Sequence, residues 1–419
     1  MRTYSIGIFQ WVCSIIVTLA SACGNSAADQ LDRKLNLEFI ERQLDDAVAQ
    51  IKVLADSVPA DRLPRTFQGD TSVFSDTDWW TSGFYPGSLL YLYEYSGDER
   101  LLQLAKDKLQ ILEKEKYNKG THDLGFMLYC SFGNALRLTG DTAAYQEILV
   151  TGAESLISRY NPVVRAIRSW EGWTYPVIID NMMNLEFLMQ ASRLSGDPKF
   201  SEIAVTHANT TLKNHYRPDY SSYHVIDYNP EDGSIVAKKT AQGAYDESAW
   251  ARGQAWGLYG YVMMYRETGD PAYLNFAENI AQFILGHPHM PEDMVPYWDF
   301  NAPDLPDDSP YAASHRNDRD ASTASILASA LIELSAYTSD EVSEGYLAHA
   351  EKIIRSLSAA PYKAEIGSNG GFILQHSVGS IPHNSEIDVP LTYADYYYIE
   401  ALMRYKHLIE RKPLFGARL

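Results

Sequence analysis

The sequence predicts an all-α fold, an (α/α)6 barrel of six helical hairpins, and three observations carry that expectation. From about residue 35 onward, apolar residues recur at three- and four-residue spacing, and alternating strand-like runs are few. A short punctuation mark repeats: Ser96-Gly-Asp, Thr139-Gly-Asp, Ser195-Gly-Asp and Thr268-Gly-Asp, with Thr338-Ser-Asp as a degenerate copy. The helical runs number twelve, enough for six hairpins.

In chain order the runs lie near 36–57, 80–95, 98–113, 124–137, 141–158, 179–194, 198–215, 246–267, 271–286, 318–337, 340–358 and 392–410. Each punctuation mark should end one helix with a left-handed Gly and begin the next with a capping Asp. The longer gaps, 58–79, 159–178, 216–245, 287–317 and 359–390, are polar and carry Pro, Gly and Tyr. They fall between hairpins, so a closed barrel gathers them on one face, where loops on a rigid scaffold can build a site. An open solenoid of the same hairpins is the alternative architecture.

Residues 1–28 stand apart. Arg2 is their only charge, a mostly apolar run follows from Ile6 to Ala20, and small residues come next. This has the layout of an export signal and is too short and interrupted for a membrane-spanning helix. Cys23 after Ala-Ser-Ala resembles a lipobox cysteine, with the signal ending at Ala22, although Leu19 sits one position further away than the usual pattern. Ordinary cleavage near Ala28 is the alternative. Residues 29–419 then form a single domain, periplasmic or outer-membrane-associated after export, touching a membrane only through a lipid on Cys23. Of three cysteines, Cys130 alone lies in the body of the chain, so no internal disulfide can form there. Its apolar surroundings suit a small buried residue.

A net charge of −19 argues against a nucleic-acid partner and against a basic membrane-binding face. The 29 Tyr and 8 Trp fit either a Tyr-rich core or stacking surfaces for sugars. Two segments place an acid at the start of an apolar helix: Thr121-His-Asp-Leu-Gly-Phe with Asp123, and Trp173-Thr-Tyr-Pro-Val-Ile-Ile-Asp-Asn-Met-Met-Asn-Leu with Asp180. The plainer reading makes each an N-cap. The chemical reading notes that the apolar setting of Asp180 should raise its pKa toward that of a general acid. In Gln242-Gly-Ala-Tyr-Asp-Glu-Ser-Ala-Trp-Ala-Arg-Gly-Gln-Ala-Trp-Gly, Arg252 and Gln254 stand among Trp250 and Trp256, which suits a carboxylate-bearing sugar. A structural pairing of Arg252 with Asp246 or Glu247 is the competing reading.

Five runs together carry a family resemblance: Trp79-Trp80-Thr-Ser-Gly-Phe-Tyr-Pro-Gly, His122-Asp123-Leu-Gly-Phe, Ile178-Ile-Asp180-Asn-Met-Met-Asn-Leu, Ser248-Ala-Trp-Ala-Arg252-Gly-Gln-Ala-Trp256-Gly and Asp395-Tyr-Tyr-Tyr-Ile-Glu-Ala-Leu. In order and spread over about residues 36–410, they resemble glycoside hydrolase family 88, the unsaturated glucuronyl hydrolases. The resemblance implies an (α/α)6 barrel that removes 4,5-unsaturated uronic acid from the non-reducing ends of lyase-generated, glycosaminoglycan-type oligosaccharides. It implies Asp180 as general acid and base, Asp123 as the residue that holds the sugar and tunes its partner, and His224, Gln242, Arg252 and Trp256 around the subsite. Trp80, and Trp173 or Trp170, are candidates to contact the sugar. The implied chemistry is hydration: a proton to C4, water to C5, then collapse of the hemiketal.

The loop from Gln375 to Asp388 offers Ser380, His383, Asn384 and Ser385 but no Lys or Arg, where some relatives carry a base suited to sulfated sugars; His383 also reads as a solvated loop residue. No cofactor is expected. His287-Pro-His289 fits a turn better than a metal site, and Gly367-Ser-Asn-Gly-Gly lacks the end of a phosphate loop. The rival functions are an unsaturated rhamnogalacturonyl hydrolase or other glycosidase on the same barrel, and a non-catalytic glycan-binding lipoprotein. A monomer is expected, because a closed barrel leaves no open end to extend.

Overall fold

The structure, a computed structural model, describes residues 34–415, and the barrel belongs to the unit Leu37–Leu419. The expected export signal, with Cys13 and Cys23, lies outside the described residues. Twelve barrel helices are present among them: α1 (Leu37–Ser57), α2 (Phe84–Ser96), α3 (Glu99–Leu112), α4 (Gly125–Gly133 then Asn134–Thr139), α5 (Thr142–Ile157), α6 (Leu185–Ser195), α7 (Lys199–Asn214), α8 (Ala251–Thr268), α9 (Pro271–Gly286), α10 (Ala321–Ser335), α11 (Asp340–Leu357) and α12 (Thr392–Ile409). Even-numbered helices pack in the order α2, α4, α6, α8, α10, α12 and back to α2, which closes the inner ring. Each odd-numbered helix packs on the outside, against its hairpin partner. The fold is therefore the expected (α/α)6 barrel, not an open solenoid.

Burial follows from that arrangement. Every residue of α10 and nearly every residue of α8 is buried, while α1, α3 and α11 bury one stripe and expose the other. Much of the Tyr surplus is spent here: Tyr259, Tyr261, Tyr396, Tyr397 and Tyr398 are core residues.

The punctuation marks work as one repeated device. Gly97, Gly140, Gly196 and Gly269 all have φ between 65° and 71°. The Ser or Thr before each Gly donates back to the carbonyl four residues earlier and accepts the amide of the following Asp. The Asp carboxylate then accepts an amide of the next helix at 2.9–3.0 Å. The Thr338-Ser-Asp copy keeps only the break: Ser339 is an N-cap with no side-chain bond. Nothing lies within 4 Å of a Cβ added at Gly140, so Gly140→Ala tests conformation alone. It should lower stability by about 1–2 kcal/mol, read as a reduced urea midpoint at unchanged slope.

All four tight turns join an inner helix to the outer helix that follows, so the long connections all lead into the N-terminal ends of inner helices. Those gaps are more ordered than the sequence suggests. They form short antiparallel pieces: β1 (Leu63–Gln68) with β2 (Thr71–Ser75), β3 (Tyr160–Asn161) with β4 (Ala166–Ile167), β5 (Pro176–Ile178) with β6 (Val225–Tyr228) and β7 (Ile235–Lys239), and β8 (Ser377–Ser380) with β9 (Ser385–Val389). The expected helix start at 246 is also too early. Residues 244–250 instead wrap the buried carboxylate of Asp299, which accepts from the Ala244 amide and the Ser248 hydroxyl, and α8 begins at Ala251.

Candidate active site

Five connections and the first turns of the inner helices enclose a cavity of about 280 Å³, lined by Trp79, Trp80, His122, Asp123, Trp170, Ile178, Asp180, Gln242, Arg252, Gly379, Ser380, His383, Ser385, Glu386 and Tyr393. Ligand cavities run from roughly 300 to 1,000 Å³, so this one is at the small end and suits a single sugar ring better than a chain.

Neither aspartate is an N-cap. The orphan amides at the start of α4, those of Gly125 and Phe126, are taken by Asn184 Oδ1 at 2.8 and 3.3 Å. Asn184 belongs to a 3-10 turn, Ile179–Asn184, that precedes α6 and contains Asp180. Gly125 is glycine because a Cβ would sit 2.6 Å from Asn184 Cα. That close approach accompanies the wide π-coil of Gly125–Gly133, a distortion frequent beside functional sites. With Asn184 capping α4, and with Asp180 lying inside the 3-10 turn and not at its N-cap, Ile178, the carboxyls of Asp123 and Asp180 both face the cavity, their side chains 14% and 11% exposed.

Burial pushes both carboxyls up to about 7. For Asp123, the Thr121 hydroxyl and the Arg159 charge pull the other way. For Asp180, Arg252 opposes the rise and Asp123 adds to it, while the Trp256 indole favours the ionised form. Two neutral imidazoles flank the pair. Burial holds His122 down to about 3 and His224 well below its ordinary value. His224 Nδ1 accepts the amides of Ala241 and Gln242 at 3.1 and 3.2 Å, so its proton sits on Nε2, 3.7 Å from Asp180 Oδ2. His122 Nε2 lies 3.3 Å from Asp123 Oδ1. Buried polar atoms with no hydrogen-bond partner among the described residues gather here: His122 Nε2, Asp180 Oδ2, His224 Nε2, Arg252 Nε and Tyr393 OH. Buried polar groups are almost always satisfied, so such a concentration marks a site built for a polar ligand.

Arg252 is not paired with Asp246 or Glu247. It donates to Asp320, to Gln242 Oε1 and to the carbonyls of Val378 and Gly379. Two expected contacts are displaced. Trp256, one helical turn deeper than Arg252 on the same face of α8, is fully buried against Phe126 and Tyr397 and lies behind the cavity wall. Trp173, past the left-handed Gly172, lines a separate shallow depression with Thr174, Asp227 and Lys239. Trp170 takes the cavity position, edge-on to Trp173 at 6.3 Å. His383 is exposed, yet its Nδ1 pairs with the Ser380 hydroxyl at 2.7 Å on the cavity rim. Sequence reasoning missed Arg65 and Glu386, which clamp β1 to β9 across the mouth at 2.9–3.1 Å, with Trp79 stacked 4.0 Å from the Arg65 guanidinium. A cross-loop ion pair leaves no local signal. Among the described residues no group of three or more His, Cys, Asp or Glu could hold a metal ion, and no helix is long and apolar enough to cross a membrane.

The model of Glycosyl Hydrolase Family 88 matches residues 60–405. The chain belongs to that family. An unsaturated glucuronyl hydrolase of Formosa agariphila is 47% identical to this family 88 chain over 334 residues, 79% of this chain and 80% of the relative. The crystal structure of an unsaturated glucuronyl hydrolase specific for heparin superimposes with a TM-score of 0.84 at 47% identity, covering 90% of this chain and all of that one. A Streptococcus agalactiae unsaturated glucuronyl hydrolase variant, crystallised with dGlcA-GalNAc6S, superimposes with a TM-score of 0.76 at 27% identity, covering 93% and 97%. This family 88 member is a glycoside hydrolase of the unsaturated glucuronyl hydrolase type, and its substrate is an unsaturated oligosaccharide.

Proposed function

We propose that the cavity binds a terminal 4,5-unsaturated uronic acid and releases it by hydrating the C4=C5 bond, with Asp180 as general acid and base. The observation that carries this reading is the Asp180 carboxyl itself: buried, freed from helix capping, and raised to about 7. It keeps its proton up to about neutral pH, where an ordinary carboxyl is fully ionised, and can deliver it to C4. A water then forms a bond to C5 and returns its proton to the Asp180 carboxylate. The hemiketal at C5 opens to a ketone, and the C1 hemiacetal releases the rest of the oligosaccharide. Because the bond attacked is the vinyl ether, a carboxylate pair spanning the glycosidic linkage is not required. Asp123, beside neutral His122, holds the ring, and in the state where the pair shares a single proton it adds negative potential as positive charge develops at C5. The Nε2–H of His224, the Gln242 amide and the Arg252 charge meet the substrate carboxylate, while Trp170 and Trp80 bound the ring faces.

The heparin specificity of one 47%-identical relative supports heparin-type lyase products as substrates. The N-terminal apolar segment supports export, to the periplasm or the outer membrane, with Cys23 as the candidate lipid-bearing residue, and the closed ring supports a monomer.

The test is the ultraviolet absorbance of the conjugated double bond, followed for a panel of unsaturated disaccharides. Loss of absorbance on heparin-type, chondroitin-type or hyaluronan-type products confirms hydration and ranks the substrates; no loss on any of them removes the proposal. The rate should fall as pH rises through about 7, because the required proton leaves Asp180 there. A rate still climbing above about pH 8 would exclude Asp180 as the acid.

A further inference from the structure

We infer that Asp320, which does not itself line the cavity, is a positioning residue for this reaction: it orients Arg252, and through Arg252 it sets the Gln242 amide and the β8 wall. The inference rests on the reading of Asp180 as the acid only where pH dependence is concerned.

Asp320 is the N-cap of α10 and is completely buried. A cap needs one or two amides. Asp320 Oδ1 meets that need with the Ser322 amide at 3.0 Å and hydroxyl at 2.6 Å, and also takes the Val378 amide of β8 at 3.3 Å. Capping does not explain Oδ2, which is aimed the other way. It accepts the Thr323 hydroxyl at 2.7 Å and an Nη1 hydrogen of Arg252 at 3.2 Å. Arg252 is 2% exposed, and Asp320 is the carboxylate that contacts it. A buried guanidinium is held in one place only when a counter-charge and acceptors fix it together.

The fixed guanidinium does two things. It donates to the carbonyls of Val378 and, at 2.6 Å, Gly379, which holds the strand leading to Ser380 and His383 against the cavity. It also donates to Gln242 Oε1 at 2.9 Å. Arginine can only donate, so the amide atom facing it is the oxygen, and the Gln242 Nε2 amino group is turned away from it. A carboxylate ligand needs a donor at that position. The chain Asp320 to Arg252 to Gln242 therefore converts a residue able to present either end of its amide into a committed donor. The negative charge of Asp320 also offsets the positive field of Arg252 at Asp180.

Asp320→Asn separates these roles from the cap. The new Oδ1 can still accept the Ser322 and Val378 amides, but the Nδ2 amino group opposes the Arg252 donor. With an unsaturated disaccharide at about pH 5.5, where Asp180 is protonated, KM should rise about tenfold while kcat changes less than about threefold. The falling limb of the pH profile should move down by about half a unit, since removing a nearby negative charge favours ionisation of Asp180. A folded Asp320→Asn enzyme with wild-type KM and an unmoved limb, or with its whole loss in kcat, overturns the inference. If that variant does not fold, Thr323→Val removes one donor to Oδ2 and keeps the charge. It should raise KM about threefold and leave the limb in place, and a wild-type KM would overturn the inference equally. A wild-type profile without a falling limb would instead count against Asp180 as the acid, and the KM comparison would still test Asp320.

Discussion

Asp180→Asn is expected to cut turnover by about 10²–10⁴-fold and, at the same time, to make the protein more stable in mild alkali. The two effects share one cause. Burial raises the Asp180 carboxyl from an ordinary value of 3.8 to about 7 in the fold. The folded state therefore binds the proton more tightly than the unfolded chain, and protonation stabilises the fold. That stabilisation is fully present below about pH 4, declines as pH rises, and is gone above about pH 7. At pH 8 the wild type carries a buried carboxylate that costs on the order of 2–4 kcal/mol, and neutral Asn does not. Thermal unfolding at about pH 8 should show Asp180→Asn melting higher by about 2–6 °C, and the gap should close at about pH 4.5. A variant that loses turnover but melts with the wild type at both pH values would mean that Asp180 is not a desolvated acid. Retained binding of an unsaturated disaccharide would show that chemistry was removed and not the site.

The largest loss of stability is expected far from this chemistry, toward the opposite ends of the inner helices. Glu333 on α10 is 1% exposed and accepts Arg266 at 2.8 and 3.0 Å, Arg404 at 3.2 Å and the Tyr337 hydroxyl at 3.3 Å. Arg404 also pairs with Glu400, which accepts the Tyr259 and Ser329 hydroxyls. These charges tie α8, α10 and α12 together inside the ring. Glu333→Ala removes the carboxylate that Arg266 and Arg404 share and strands buried donors, although Arg266 keeps Glu186 and Glu267 and Arg404 keeps Glu400; losing hydrogen bonds to a buried charged group costs about 1.5–3 kcal/mol. The urea midpoint should fall accordingly, and KM of whatever protein remains folded should be unchanged. An unchanged midpoint would mean that the network is solvated. Replacing the whole network by apolar residues of matching volume should cost much less, because no unpaired charge would remain.

The helices were legible because each depends on neighbours in the chain. The Ser96-Gly-Asp type of turn is complete within about six residues: a hydroxyl, a left-handed Gly and a capping Asp, all satisfied locally. Twelve runs and four such turns suited a closed ring or an open solenoid, and the family resemblance pointed to the ring. Asp123, Asp180 and Arg252 could be named because they sit in runs whose order is readable, while Gln242 and His224 were named only through the family resemblance. What those runs could not show is which side chain answers to which. Asp123 reads as a helix cap until Asn184, 59 residues from the Gly125 amide it accepts, is seen to hold the start of α4, and Asp180 reads as one until it is found inside a 3-10 turn whose N-cap is Ile178. Trp256 and Trp173 had the composition of a sugar platform, but one helical turn of depth and one left-handed Gly took them out of the cavity.

By itself, then, the sequence determined the (α/α)6 barrel, its family and the residues available for chemistry, because periodicity, turns and motifs are short-range properties of a chain. Only the tertiary structure decided that the two aspartates face the cavity and do not cap helices, that Trp170 lines it where Trp173 does not, that Arg65 and Glu386 clamp the mouth, and that Asp320 stands behind Arg252. Desolvation and partner choice decide all of these, and both are set by residues that meet only when the ring has closed.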